Sequence, residues 1–217
     1  PGCREAGPVD GVLLSHAHID HSGYISFLRA DIPVYCTAMT ALIAKAMQDT
    51  SMSDFEKEVC YQTPREEGEG GVLKTAHYKS NAYRGRQFYT FEASVAAEVA
   101  EFWRHSTASR ALDNKPLLPA GKIGGLPVRA YPVDHSIFGA AAFALETELG
   151  WIVYTGDLRL HGTKGLASEK FMRAAAELRP YLLISEGTHV ESETTTSEDE
   201  VYENCLRAVE ETTGLVV

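Results

Sequence analysis

Three histidines and one aspartate lie within six positions near the start of the chain, at His16, His18, Asp20 and His21. The apolar run before them, residues 11–14, predicts a short buried strand. Side chains two positions apart on an extended backbone point to the same side, so His16 and His18 can reach one metal ion. Four such groups would crowd a single ion, and the segment therefore predicts a paired metal site.

Three segments of the chain resemble motifs of the metallo-β-lactamase superfamily. Residues 16–21 (H-A-H-I-D-H) resemble the second motif of that family. Residues 132–137 (P-V-D-H-S-I) resemble the third motif, and residues 154–157 (Y-T-G-D) resemble the fourth. The resemblance implies an α/β fold, the αββα sandwich, with two metal ions at one sheet edge. It assigns the first ion to His16, His18 and His135, and the second to Asp20, His21 and Asp157, with Asp157 between both ions.

The elements that would position these ligands can be predicted from the sequence. Strands are predicted at residues 126–133, 140–145 and 151–154, so that His135 and Asp157 follow strand ends, as a site at a sheet edge requires. The other predicted elements are a helix at 23–29, a strand at 32–36, a helix at 39–48 and a helix at 91–103. In the last of these helices, helical spacing predicts core packing for Val95, Val99 and Phe102.

A further resemblance narrows the family to one subgroup. The predicted strand at 181–184 runs into S-E-G-T at residues 185–188, which resembles the acidic-x-Thr first motif of the β-CASP subgroup. Its known members, ribonuclease J and the cleavage factor of messenger-RNA 3′ processing among them, cut nucleic acids. By this resemblance Glu186 would orient a downstream His that protonates the leaving oxygen. Ser136 and Thr188 are candidates for contacting substrate oxygens, and His161 is a candidate for lining the cleft.

The ligand types indicate the cofactor and the reaction. Histidine and carboxylate ligands suit zinc, and manganese where oxygen ligands dominate. Two divalent ions lower the pKa of a bridging water, so that hydroxide is available near neutral pH, and they stabilise charge on a phosphoryl oxygen. The ligands therefore predict a dinuclear metal-dependent hydrolase, and the β-CASP resemblance implies that it is a nuclease or phosphodiesterase acting on RNA or single-stranded nucleic acid. In this enzyme Asp20 is expected to bind its ion and orient the hydroxide, and by the resemblance Asp157 would bridge the two ions.

Two other functions share these ligands. A metallo-β-lactamase-fold hydrolase of a small ester, thioester or lactone would carry the same ligand set. A non-catalytic scaffold paralogue is the second alternative, and loss of ligands would favour it. All six ligands expected within this chain are present in the sequence.

Compared with that family, the chain looks incomplete at both ends. We expect a metallo-β-lactamase core at residues 1–190 without its N-terminal strands, and the beginning of a β-CASP domain at residues 191–217. Ser197 and Glu200 form a capping-box pattern before apolar residues at helical spacing, and residues 215–217 resemble a strand. A further metal-binding His and the second β-CASP motif are expected downstream.

Composition limits the environment and the partners. No apolar stretch approaches the roughly twenty residues of a membrane-spanning helix, and no signal-peptide pattern opens the chain. The four cysteines are scattered without a C-x-x-C pair, which favours reduced thiols and a cytoplasmic location. No membrane partner is therefore expected, and homo-oligomerisation is left open.

Charge gives a mixed indication about nucleic acid. The net charge of −10 opposes binding to a polyanion, but residues 72–130 contain nine Lys and Arg against four acidic residues. Aromatic residues are interleaved with that excess at Tyr78, Tyr83, Phe88 and Tyr89. Such a combination can stack bases and neutralise phosphates, whereas the ordinary alternative is a solvated charged face.

Overall fold

The structure is a computed structural model that describes residues 9–51, 55–77, 79–106, 110–188 and 196–215. Over these residues the chain is a mixed α/β protein with 13 strands and five α-helices. The strands are β1 (Val12–Leu13), β2 (Val34–Cys36), β3 (Tyr61–Gln62), β4 (Arg65–Glu67), β5 (Leu73–Thr75), β6 (Tyr83–Gly85), β7 (Phe88–Thr90), β8 (Leu112–Asp113), β9 (Leu118–Pro119), β10 (Val128–Pro132), β11 (Ala141–Thr147), β12 (Gly150–Tyr154) and β13 (Leu182–Ile184). The helices are α1 (Ile19–Ser22), α2 (Ala38–Thr50), α3 (Ala97–Arg104), α4 (Gly165–Leu178) and α5 (Glu198–Glu211).

Two four-stranded sheets carry the fold. The first has the order β1-β2-β7-β9, and all its neighbouring strands are parallel. The second has the order β10-β11-β12-β13, in which the first three strands are antiparallel and β13 pairs parallel with β12. The smaller sheets are β3-β6-β8 and β4-β5.

Each large sheet is covered by a helix, and the uncovered faces meet. On the first sheet, Ala41 and Ala44 of α2 pack with Val34 and Phe88. On the second, alternate residues of β11 pack against α4, because small alanines let Phe171 approach. From the opposite face of β11, the ring of Phe143 lies 5.4 Å from that of Phe91. The layer order is thus the predicted αββα.

The predicted elements near the site are confirmed with shifted ends. The predicted strands at 11–14, 32–36, 126–133, 140–145, 151–154 and 181–184 correspond to β1, β2, β10, β11, β12 and β13. Residues Gly23–Phe27, predicted as a helix, form a 3-10 helix directly after α1. The long helix α4 was not predicted. Phe171 and Ala175, four positions apart, are buried on its inner face.

The helix predicted at 91–103 is wrong in its start and in its buried face. Helix α3 begins at Ala97, because the extended backbone of Ala96 precedes it. The side chain of Phe102 is 43% exposed, whereas that of Trp103 is 1% exposed. The indole Nε1 of Trp103 donates a hydrogen bond to the carbonyl of Lys115 at 2.8 Å, which a buried tryptophan needs.

The basic and aromatic stretch is divided between the surface and the core. Seven of its nine basic residues are exposed, namely Lys74, Lys79, Arg84, Arg104, Lys115, Lys122 and Arg129, so its contact with nucleic acid stays a prediction. Several of its aromatic residues and the other two basic residues are buried or partly buried. Phe88 and Arg86 have no exposed surface, and Arg110 is buried. The ring of Tyr89 stacks on that of Tyr35, with centroids 4.8 Å apart. Tyr83 is partly buried, with its ring 5.0 Å from that of Tyr61. Tyr78 lies outside the described residues.

Arg86 is the structural centre of this region. Its guanidinium donates hydrogen bonds to five backbone carbonyls, those of Ile25, Leu28, Arg29, Ile32 and Val59. Burial lowers the pKa of Arg86. Four of the carbonyls belong to the connection between α1 and β2, so Arg86 fixes the chain that follows the first metal motif.

Helix α5 begins as the capping pattern predicts. The hydroxyl of Ser197 accepts a hydrogen bond from the backbone N–H of Glu200 at 3.1 Å. Glu198 is half-buried, and the other residues of α5 are exposed. The division into a core at 1–190 and a second domain at 191–217 stays a prediction, and residues 216–217 lie outside the described part. No helix among the described residues is long and apolar enough to cross a membrane.

Candidate metal centre

The predicted ligands come from both sheets and meet at one edge. His16 and His18 follow β1, whereas His135 follows β10 and Asp157 follows β12. The two sheets touch here, because the N–H of Ala141 donates to the carbonyl of Ser15 at 3.0 Å. Residue 156 must be small: a Cβ on Gly156 would lie 2.7 Å from the Cβ of Ser15, and its φ is +58°.

Three imidazoles form a first donor set. The donor nitrogens of His16, His18 and His135 lie within 4.8 Å of one another. Nε2 of His135 is 3.2 Å from Nδ1 of His18. The same three residues were predicted to share the first ion.

A second donor set contains the aspartate. Donor atoms of His16, His21 and Asp157 also lie within 4.8 Å of one another. Oδ2 of Asp157 is 3.3 Å from Nε2 of His21, 3.8 Å from Nε2 of His135 and 3.9 Å from Nε2 of His16. Asp157 thus lies between the histidines of the two sets, as a bridging carboxylate would.

The two sets differ from the predicted division in two residues. His16 belongs to both sets, and Asp20 belongs to neither. The side chain of Asp20 is 75% exposed, and its Oδ2 lies 3.6 Å from Nε2 of His21. Asp20 is therefore the carboxylate next to the second set rather than a member of it in this conformation.

His16 has the properties of a metal ligand. It is fully buried, and its Nδ1 lies 3.1 Å from the hydroxyl of Ser15, which orients the ring. Its Nε2 is buried without a hydrogen-bond partner among the described residues. Burial, together with the neighbouring His21, His135 and His18, lowers the pKa of His16 to about 3. A neutral imidazole with an unused nitrogen in a cluster of histidine and carboxylate donors fits a divalent metal ion.

This lowered pKa predicts acid sensitivity of the metal-free protein. Between pH 6.5 and about pH 3, His16 is protonated in the unfolded chain but stays neutral in the folded chain. Stability is therefore present above pH 6.5 and lost as the pH falls, with His16 contributing about 1.4 kcal/mol per pH unit. Burial also lowers the pKa of His135, which acts in the same direction.

The measurement is urea unfolding of chelator-treated protein between pH 7 and pH 4. The His16→Gln variant should lose less free energy of unfolding per pH unit than the wild type. Equal slopes for the two proteins would show that His16 is not held neutral.

The loop after His135 is anchored by helix α2. The hydroxyls of Thr37 and Thr40 donate to the carbonyl of Gly139 at 2.8 and 2.9 Å. Gly139 has a φ of +86°, and a Cβ there would lie 2.8 Å from the backbone nitrogen of Thr40. The exposed Ser136 is thereby placed directly beside His135.

Glu186 supports the loop that carries Asp157. Its carboxylate accepts hydrogen bonds from the backbone N–H of Leu158 at 3.4 Å and of Thr188 at 3.1 Å. Burial raises the pKa of Glu186, but the Thr188 and Leu158 N–H groups outweigh this and the net shift is downward. Thr188 is exposed and meets Glu186 through its backbone, and His161 is exposed. The predicted substrate roles of Ser136, Thr188 and His161 stay predictions.

An ion pair behind the centre was not predicted. Asp134 is buried, with its Oδ2 3.3 Å from Nε of Arg159, and the backbone N–H of Arg159 donates to its carbonyl at 2.9 Å. The pair ties the residue before His135 to the residue two after Asp157. A signal existed in the sequence: an acid between an apolar strand and a metal ligand is buried, and a buried carboxylate needs a cation.

The comparisons with known proteins agree with this architecture. Residues 1–77 match the family model of the Beta-lactamase superfamily domain. A crystal structure of a protein of unknown function from Enterococcus faecalis V583 is similar at 23% identity and a TM-score of 0.55 over 93% of this chain. This chain spans 39% of that protein. A comparison with curated proteins found no match.

Two further structures match with lower TM-scores. MIM-2 metallo-beta-lactamase has 14% identity and a TM-score of 0.39, over 93% of this chain and 70% of its own. Tm1679, a metal-dependent hydrolase of the beta-lactamase superfamily, has 14% identity and a TM-score of 0.31, over 92% of this chain and 63% of its own. The α/β layers, the two sheets and the family match together identify a metallo-β-lactamase type of fold.

Proposed function

We propose that this chain carries the metal centre of a metal-dependent hydrolase of the β-lactamase superfamily that cleaves phosphodiester bonds in single-stranded nucleic acid, RNA above all. The observation that carries the hydrolase is the convergence of two donor sets, His16-His18-His135 and His16-His21-Asp157, at the contact between the sheets. Divalent ions held there would lower the pKa of water and neutralise negative charge developing on the substrate.

The residues of the chain divide this work. The hydroxyl of Ser15 holds the His16 ring so that Nε2 faces the donor cluster. Glu186 and the pair Asp134–Arg159 hold the backbone on either side of the cluster, and thereby fix Asp157 and His135. Asp20 is exposed beside His21 and is free to approach substrate or ion. Such support matters because donor positions must hold within about 0.5 Å for activity.

A nucleic-acid substrate is supported by two features near the centre. Glu186 and Thr188, in the segment that resembles the β-CASP motif, meet the loop of Asp157 through Leu158. Exposed aromatic rings flank the metal loops on both sides: Tyr24 is 75% exposed after α1, and Phe138 is 63% exposed after His135. Exposed rings can stack on unpaired bases, and they replace the buried Phe88 in that role.

The test combines metal analysis with a substrate panel. Purified protein should contain zinc or manganese, which the His16→Gln variant loses and the His161→Gln variant keeps, because His161 is exposed and outside both donor sets. Labelled RNA and DNA strands should be cleaved in the presence of metal, with RNA the better substrate.

Small esters, thioesters and lactones form the other half of the panel, since hydrolases of these compounds share the donor sets. Efficient thioester or lactone hydrolysis without nucleic-acid cleavage would refute the nuclease proposal and keep the hydrolase. A protein that binds metal in both sets and cleaves nothing would favour the non-catalytic scaffold.

A further inference from the structure

A small cavity lies directly beside the candidate metal centre. It has a volume of about 200 Å³, and His135 and Ser136 form part of its wall. Because one water occupies about 30 Å³ in the liquid, the cavity has room for a phosphate or carboxylate group. Its other walls include Arg159, Thr163 and Lys164.

One wall of the cavity carries a carboxylate in this structure. Glu198, the first residue of α5, forms an ion pair with Nη2 of Arg159 and accepts a hydrogen bond from the backbone N–H of Thr163 at 2.5 Å. The hydrogen bond from Thr163 lowers the pKa of Glu198, and Arg159 adds to this. An internal oxyanion thus shows which groups of the cavity bind negative charge.

The guanidinium in the cavity wall is held in place by buried contacts. Asp134, whose side chain is 2% exposed, fixes the guanidinium of Arg159 from behind. Residue 162 must be glycine for this pair to fit, since a Cβ there would lie 2.1 Å from Oδ2 of Asp134 and 2.5 Å from Nε of Arg159. The Nζ of Lys164 lies 4.2 Å from the centre of the Phe138 ring, at the rim of the same cavity.

Charge counting predicts what happens when Glu198 leaves. The charges of Asp134 and Arg159 cancel each other. Once Glu198 is gone, the charge of Lys164 makes the cavity positive overall. Glu198 can leave without disturbing the core, because it is the first residue of α5 and the rest of that helix is exposed. The cavity is therefore a site for an exchangeable oxyanion.

We propose that Arg159, Lys164 and the Thr163 N–H form a subsite for a second phosphate group of the substrate, next to the phosphate at the metal centre, and that Glu198 occupies this subsite until substrate displaces it. This inference rests on the proposed function for the identity of the substrate. Phosphate suits the subsite because guanidinium and backbone N–H donors bind its oxygens strongly.

The first test is binding of inorganic phosphate to chelator-treated, metal-free protein by calorimetry. Glu198→Ala should bind phosphate about tenfold tighter than wild type, because a charged competitor is removed. Glu203→Ala is the matched control, an exposed glutamate on the same helix. In the Glu198→Ala background, Lys164→Ala should weaken binding about fivefold, whereas Lys170→Ala should not. Both lysines are exposed, Lys164 directly before α4 and Lys170 within it. Arg159 is left intact because its removal would strand the buried charge of Asp134.

The second test uses metal-loaded protein and two dinucleotides, one with a single phosphodiester and one with an additional terminal phosphate. The additional phosphate should lower KM in the Glu198→Ala protein, and Lys164→Ala should remove that advantage. If neither dinucleotide is cleaved, the proposed function fails while phosphate binding still decides the subsite. Equal phosphate affinity of Glu198→Ala and Glu203→Ala, or an additional phosphate without effect on KM, would overturn the subsite.

Discussion

Replacing Asp157 by Asn should reduce hydrolysis roughly 1,000-fold or more, because it removes the carboxylate charge that lies between both donor sets. Oδ2 of Asp157 is within 4 Å of a nitrogen of His16, His21 and His135, so this one atom faces histidines of both sets. Metal analysis should show a lower content of bound metal, while His16, His18 and His135 retain the first set.

The matched control is Asp199→Asn, an exposed aspartate on α5 that changes net charge equally. Far-ultraviolet circular dichroism should be the same for both variants and the wild type. An Asp157→Asn protein that keeps its fold and most of its turnover would remove Asp157 from the centre.

Replacing Arg86 by Met should destabilise the chain by about 4 kcal/mol or more, since buried carbonyls without partners each cost about 1 to 3 kcal/mol. Methionine fills similar space but donates to none of the five carbonyls that Arg86 satisfies. Lysine keeps the charge yet cannot span the five carbonyls, so Arg86→Lys should also be destabilised.

Urea unfolding measures this effect, with Arg84→Met as the control. Arg84 is two positions earlier and exposed, so its replacement should change the free energy of unfolding by less than about 0.5 kcal/mol. Similar losses in the two variants would mean that Arg86 does not support the connection between α1 and β2.

The clustering of the candidate metal donors could be predicted because part of its signal is local. His16, His18 and His21 lie within six positions after a strand, and His135 and Asp157 each follow a strand end. Strand ends are constrained in space within each sheet, whereas the meeting of the two sheets at one edge was implied by the family resemblance. The sharing of His16 by two sets was not predictable, because it depends on the ring orientation that Ser15 fixes.

The roles of the basic residues could not be predicted in the same way. Arg86 and Arg159 appear in the sequence as ordinary surface cations, but their partners are carbonyls and a carboxylate far along the chain. Charge and spacing alone do not distinguish a solvated arginine from one that is bound to buried carbonyls or a buried carboxylate. The same holds for Phe88 and Phe102, where the side that faces the core depends on how β7 and α3 pack.

The division of the candidate metal donors between the two sheets would make a bound ion a cross-link between the two sheets. His16, His18 and His21 follow the first sheet, and His135 and Asp157 follow the second, with one backbone hydrogen bond between Ser15 and Ala141 nearby. An ion that binds the docked sheets but not the separated ones adds its binding free energy to their docking. Metal supply in the cell would then govern not only turnover but also how long the protein escapes proteolysis.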